Sequence, residues 1–243
     1  MSDKPYYLAY EARYQKVFAA GVDYWGHGTE NEILAAALEK WVDINQLKGK
    51  KIIEFACGEG ASGVLLSRLG CFYHGIDIAP SAVDKTKKAL RDFPNARVSL
   101  LDMVKETTGE VYDAALDCMG FHMLVTDSDR IAYLSNAYNS LKSGTPMLFF
   151  RETYRREVYN GSVESLEQWK TITGDDYDTP KQRFTKNGDK EVEVWIPLVP
   201  ARARTKEGYI AEMDNAGFIV DDFVEMDINE QCPYSASIYV HKP

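Results

Sequence analysis

The chain has 243 residues and a mass of 27.5 kDa, enough for one sizeable α/β domain with an extension or insertion. Its 45% hydrophobic and 27% charged residues exclude broad disorder, and a net charge of −9 sets the average field against a polyanion, so nucleic acid is not expected as a partner. No apolar run approaches the roughly 18 residues that span a bilayer, and Met1-Ser2-Asp3-Lys4-Pro5 lacks a basic segment followed by an apolar run, so a cytoplasmic protein with no membrane partner is expected. Cys57, Cys71, Cys118 and Cys232 are widely spaced, with no CxxC pair and no zinc-type His/Cys cluster; they read as reduced thiols, and no metal site is expected.

In chain order, residues 5–25 are dense in aromatics: Tyr6, Tyr7, Tyr10, Tyr14, Phe18, Tyr24 and Trp25. Tyr7, Tyr10 and Tyr14 fall on one helical face, which reads first as a helix packed on the body. His27 stands next, between two glycines. Glu32–Val42 is an amphipathic helix that leads into the first strand with no linker between them.

Lys51–Asp77 reads as strand, glycine turn, helix, strand, with Ile52 and Ile53 leading through Gly58 and Gly60 into the helical face of Val64, Leu65 and Leu66. Without a Cβ, those glycines let the backbone approach a bound ligand. Asp77, about 20 residues past the turn, can accept hydrogen bonds from a ribose. Gly58-x-Gly60-x-x-Gly63 also satisfies the dinucleotide fingerprint, which keeps an NAD(P)-dependent oxidoreductase open. Glu54 weighs against it, because a pyrophosphate-binding turn gains nothing from a negative charge four residues before its first glycine.

A helix is expected from Pro80 to about Leu90, a third strand over Arg97–Leu101 ending at Asp102, and a fourth over Val111–Asp117. Ile131–Leu141 reads as a helix and Pro146–Phe150 as the fifth strand. From Thr153 to Pro200 the pattern changes to charge and turn residues, with a hairpin expected around Asn187-Gly188. The arginines cluster at Arg151, Arg155 and Arg156 and again at Arg202 and Arg204; such side chains most often make surface ion pairs, and otherwise would suit a carboxylate or phosphate on a small substrate. A helix over Lys206–Ala216 and strands over Phe218–Met226 and Ala236–Val240 end the chain, the last two short enough in connection to be antiparallel.

Glu54-x-x-x-Gly58-x-Gly60 with Asp77 resembles the first two motifs of the class I S-adenosylmethionine-dependent methyltransferases. Asp102-Met103, Tyr112–Asp117, Leu141–Gly144 and Ala216-Gly217-Phe218 resemble later motifs in the same order; Ala56 departs from the glycine often found there. The resemblance implies a Rossmann-like, seven-stranded, mostly parallel sheet with an antiparallel last strand, an N-terminal helical extension and a cap inserted after strand 5. One domain over 1–243 is expected: a helical lid (1–46), a cofactor-binding core (47–152), a substrate cap (153–204) and a C-terminal part of the core (205–243).

S-adenosyl-L-methionine is the implied cofactor, with Trp25, Glu54, Ala56, Cys57, Gly58, Gly60, Asp77, Ile78, Asp102, Met103, Asp117 and Cys118 as its implied contacts and Asp102 beside the adenine. The methyl acceptor is then a small molecule, an anionic one being an option, with O, N or S methylated. Tyr10, Tyr14, Tyr24, His27, Arg151 and Arg202 are its candidate contacts. His122 comes after the fourth strand, at the reversal of strand order where ligands bind in open parallel sheets, and is the candidate general base, with plain packing as the other reading. A non-catalytic S-adenosylmethionine-binding protein is a further alternative, and a homodimer is allowed.

Overall fold

The computed structural model describes residues 4–22, 24–25, 28–187, 190–226 and 234–243. Seven strands form one sheet: β1 (Lys51–Phe55), β2 (Phe72–Asp77), β3 (Ala96–Leu100), β4 (Ala114–Cys118), β5 (Pro146–Thr153), β8 (Ile219–Met226) and β9 (Ser235–His241). Their order is β3-β2-β1-β4-β5-β9-β8; β9 runs antiparallel to both neighbours and the other pairings are parallel. The direction of winding reverses between β1 and β4. A crevice at their carboxyl ends is the expected ligand position in such a sheet.

The central strands are apolar on both faces, as a sheet covered on both sides requires. Ile53, Phe55, Ala115, Met147 and Phe149 pack with Tyr133, Leu134 and Ala137 of α5 (Asp127–Asn139) and Tyr209 and Met213 of α7 (Lys206–Asn215). The alternate residues Ile52, Ala114, Leu116, Leu148 and Phe150 pack with Leu34, Leu38 and Trp41 of α2 (Glu32–Ile44) and Val64, Leu65 and Leu66 of α3 (Ala61–Arg68). Side-chain caps start three of these helices locally, with Asn31 accepting from Leu34 N, Thr126 from Asp129 N and Thr205 from Gly208 N.

Two other segments cover the carboxyl end of the sheet. A 3₁₀ turn (Tyr6–Leu8) runs into α1 (Ala9–Ala19); the insertion after β5 contributes α6 (Leu166–Thr173) and a separate hairpin of β6 (Lys181–Asn187) and β7 (Lys190–Ile196). Lid and cap pack on each other: Val17 and Val22 are buried with Val194 and Ile196, and Tyr6 packs beside Val125, Val163 and Trp169. The hairpin pairs Asn187 with Lys190, and the expected turn residues between them lie outside the described residues.

Some boundaries shift. β4 begins at Ala114, because Val111 is exposed and Tyr112 makes only an isolated bridge to Leu141. α5 begins at Asp127, four residues before its apolar face, because Thr126 caps it. β5 continues to Thr153 through Arg151, which holds a left-handed φ of +62° at an irregularity in the pairing with β9.

Candidate cofactor and acceptor cavity

A cavity of about 370 Å³ opens at the carboxyl ends of β1, β2 and β4, inside the roughly 300–1,000 Å³ range of small-molecule sites. Its floor is the turn after β1, where Ala56 and Gly58 both sit at φ +52° and Gly60 at +84°. At Gly60 a Cβ would also come within 2.9 Å of the Thr86 side chain, so glycine is required for both conformation and space. Ala56 holds the left-handed φ that explains a preference for glycine there, at some conformational cost.

Two carboxylates sit against this turn. Asp77 Oδ2 accepts from Gly58 N and Oδ1 from Ala79 N, both at 2.8 Å, which fixes the turn to the end of β2; burial pushes its carboxyl up to about 6. Glu54 is 1% exposed and accepts a hydrogen bond from the Tyr73 hydroxyl. Burial pushes it up to about 8 despite the opposing hydrogen bonds from Tyr73 and Ser62.

The roof is the aromatic face of the lid: Tyr7, Tyr10, Arg13, Tyr14 and Trp25. It is tied down at several points. Tyr6 Oη accepts from Val125 N at 2.8 Å, Tyr7 Oη donates to Asp102 at 3.1 Å, and Trp25 N donates to Glu59 Oε1 at 2.7 Å. Glu11 accepts from Ser81 N at 2.9 Å and Ser81 Oγ at 2.7 Å in the first turn of α4 (Pro80–Ala89), where the helix dipole also favours a negative charge. The remaining wall is Cys118, Met119, Gly120, Met123 and Leu124, with Tyr133 from α5. Beneath it, Asp117 Oδ1 accepts from Gly120 N and Phe121 N, and the Tyr133 hydroxyl donates to Oδ2.

The charges in this lining are unequal: Glu54, Glu59 and Asp77 against Arg13. A pyrophosphate would meet carboxylates at the glycine turn, whereas a sulfonium with an amino group meets acids and ring faces that attract a cation. The residues present therefore fit S-adenosylmethionine.

A profile of the methyltransferase domain family matches residues 53–147, which run from β1 into β5. Aklanonic acid methyltransferase DauC of Streptomyces sp. (strain C5) is 27% identical over 123 residues, 49% of this chain and 56% of that relative, so the match spans about half the relative's length. Among solved structures, the CcbJ methyltransferase from Streptomyces caelestis aligns with a TM-score of 0.65 at 14% identity, covering 96% of this chain and 99% of that one. Magnesium protoporphyrin IX methyltransferase from Synechocystis PCC 6803 with bound S-adenosylhomocysteine aligns with a TM-score of 0.64 at 14% identity, covering 98% and 100%. Residues 53–147 thus carry a methyltransferase domain, and the chain shares the fold of these solved methyltransferases.

Within this fold the cavity gathers most of the residues expected from sequence: Trp25, Glu54, Ala56, Cys57, Gly58, Asp77, Ile78, Met103 and Cys118, with Tyr10 and Tyr14 from the lid. Gly60 shapes the turn without lining the cavity. Asp102 and Asp117 do not line it either; Asp102 is engaged by Tyr7 and by Val104 N, and Asp117 holds the wall from behind. Tyr24 stands outside, its ring under the Lys85 ammonium at 4.9 Å. His27 lies outside the described residues.

Three expectations require correction. His122 does not face the cavity: its ring is 3% exposed and its Nδ1 lies 2.9 Å from Glu152 Oε2, which also accepts from His122 N at 2.7 Å. Burial lowers this imidazole to about 4 and raises the Glu152 carboxyl to about 7, the direction that removes charge from a buried pair. Arg202 lines a second cavity with Asp127, Arg130 and Glu212, and its guanidinium donates to Asp127 Oδ1 at 2.6 Å and Val125 O at 2.8 Å. Arg151 is buried on β5 and does not line the cofactor cavity. Sequence reasoning missed Arg13, Glu59, Met123 and Tyr133. Only Arg13 carried a local signal, three residues after Tyr10 and so on the same helical face.

Proposed function

We propose that this chain transfers a methyl group from S-adenosylmethionine to a small-molecule acceptor held beneath the aromatic lid. The observation that carries this reading is one continuous cavity, with the acid-lined glycine turn as its floor and tyrosine and tryptophan rings as its roof. When bound, the cofactor supplies an electrophilic methyl on a sulfonium, a group displaced in line by an acceptor lone pair. Ala56, Cys57 and Gly58 offer the backbone along which it would lie, Asp77 the carboxylate for its ribose, Glu54 the charge for its amino group, and Ile78 and Met103 the apolar sides for its base. The lid residues Tyr10, Tyr14 and Trp25 exclude water and align the acceptor, which is where much of the acceleration of such a displacement arises.

Aklanonic acid and magnesium protoporphyrin IX, in the relatives' names, are small molecules, which supports the same acceptor class here. A cytoplasmic setting fits the free thiols of Cys57, Cys71 and Cys118. The test is calorimetric titration of ligand-stripped protein with S-adenosylhomocysteine, with NADH as control. Binding of S-adenosylhomocysteine alone supports the reading, and binding of NADH alone overturns it.

A further inference from the structure

We propose that Arg13 anchors an anionic group on the methyl acceptor, and that the acceptor is a flat aromatic acid whose carboxylate supplies the counter-ion that none of the described residues gives this arginine. The proposal rests on the methyl-transfer reading of the cavity and adds the substrate class.

Arg13 is 9% exposed and lines the cavity from α1. Its Nη2 donates to Pro197 O at 3.2 Å; among the described residues its buried Nε has no acceptor and no carboxylate lies within ion-pair distance of it. Its guanidinium carbon stands 5.2 Å from the Tyr10 ring centroid and 5.1 Å from that of Trp25. Arg183 of β6, a second cation, also bears on it. Ring faces offset part of the desolvation of a guanidinium, but a buried charge is ordinarily paired.

Two other buried arginines obey that norm: Arg130 is bidentate to Glu212, with 2.9 and 2.6 Å contacts, and Arg202 is paired with Asp127. Arg13 alone among these three opens onto the cavity. It stands where lid meets cap, through Pro197, while Glu54 and Asp77 belong to the ends of β1 and β2. The cavity thus separates its charges, with acids at the glycine turn for a cationic cofactor and a lone cation at the lid. Between them lie Tyr10, Tyr14, Trp25, Met123 and Leu124, flat and apolar surfaces that suit an aromatic body. A guanidinium presents paired N–H donors that match a carboxylate.

The test is calorimetric titration of the wild-type protein saturated with S-adenosylhomocysteine, using 2-naphthoate and its neutral isostere 2-naphthamide as probes. Expected is binding of the acid about tenfold or more tighter than the amide, loss of that preference in Arg13→Gln, and partial retention in Arg13→Lys, with thermal melts confirming that both variants fold. Equal affinity for acid and amide, binding of neither, or a preference that survives Arg13→Gln would overturn the proposal. Failure of the wild-type protein to bind S-adenosylhomocysteine in the first step is a different result, and overturns the methyl-transfer reading itself.

Discussion

Glu54 gives the cavity a pH dependence that can be worked out from its surroundings. In the free protein its carboxyl is pushed up to about 8 by burial, so at pH 7 it is mostly protonated. A cationic cofactor favours the ionised form, and binding then releases a proton, about 0.9 per site at pH 7 for a group near 8 that is fully ionised in the complex. The ionised fraction in the free protein rises from about 3% at pH 6.5 to about 76% at pH 8.5, so affinity should rise about 25-fold across that interval through this group. Glu54→Gln cannot ionise and should lack that rise. The assay is calorimetric titration with S-adenosylmethionine at both pH values, repeated in two buffers of different ionisation enthalpy to count protons. Titration of the ligand's own amino group cancels in the comparison of the two proteins. Identical pH profiles for wild type and Glu54→Gln would refute the reasoning. Without ligand the sign is opposite: the folded state keeps its proton while an unfolded carboxyl has lost it, so Glu54 makes stability fall as pH rises from about 4.5 to about 8.

Two other substitutions separate structural from functional roles. His122→Ala should lower the free energy of unfolding in urea by about 1–3 kcal/mol, because Glu152 loses its imidazole partner in a buried place, while the rate of methyl transfer per folded molecule is kept. A rate loss of about a hundredfold with unchanged stability would restore the general-base role. Glu11→Ala removes both contacts to Ser81 and, at about 1 kcal/mol each, should speed S-adenosylhomocysteine dissociation in stopped-flow by about 5–30-fold. An unchanged dissociation rate would show that release does not require α1 to leave α4.

The sequence by itself determined the alternation of strands and helices, the glycine turn and the acid at the end of β2, because these depend on local rules. Ile52 and Ile53 alternate between two packed faces, Gly58 and Gly60 need left-handed φ, and Asp77 stands one helix and one strand beyond the turn. The Tyr7, Tyr10 and Tyr14 spacing marked the lid for the same reason. Where side chains point across elements was decided only by tertiary structure. His122 follows the strand at the winding reversal and Arg202 belongs to an arginine cluster, yet Glu152 draws the imidazole away from the cavity and Asp127 takes the guanidinium into another. Asp102 is engaged by Tyr7, 95 residues away in sequence, and Asp117 turns beneath its own loop to hold Gly120 and Tyr133. Arg13 carried only a position on a helix face; its unpaired charge arises because the cap closes over the lid and brings Pro197 and a second arginine, but no acid among the described residues, to meet it. Local sequence fixes backbone conformation within a few residues, whereas the partner of a buried charge is chosen by which distant elements the packed core brings together.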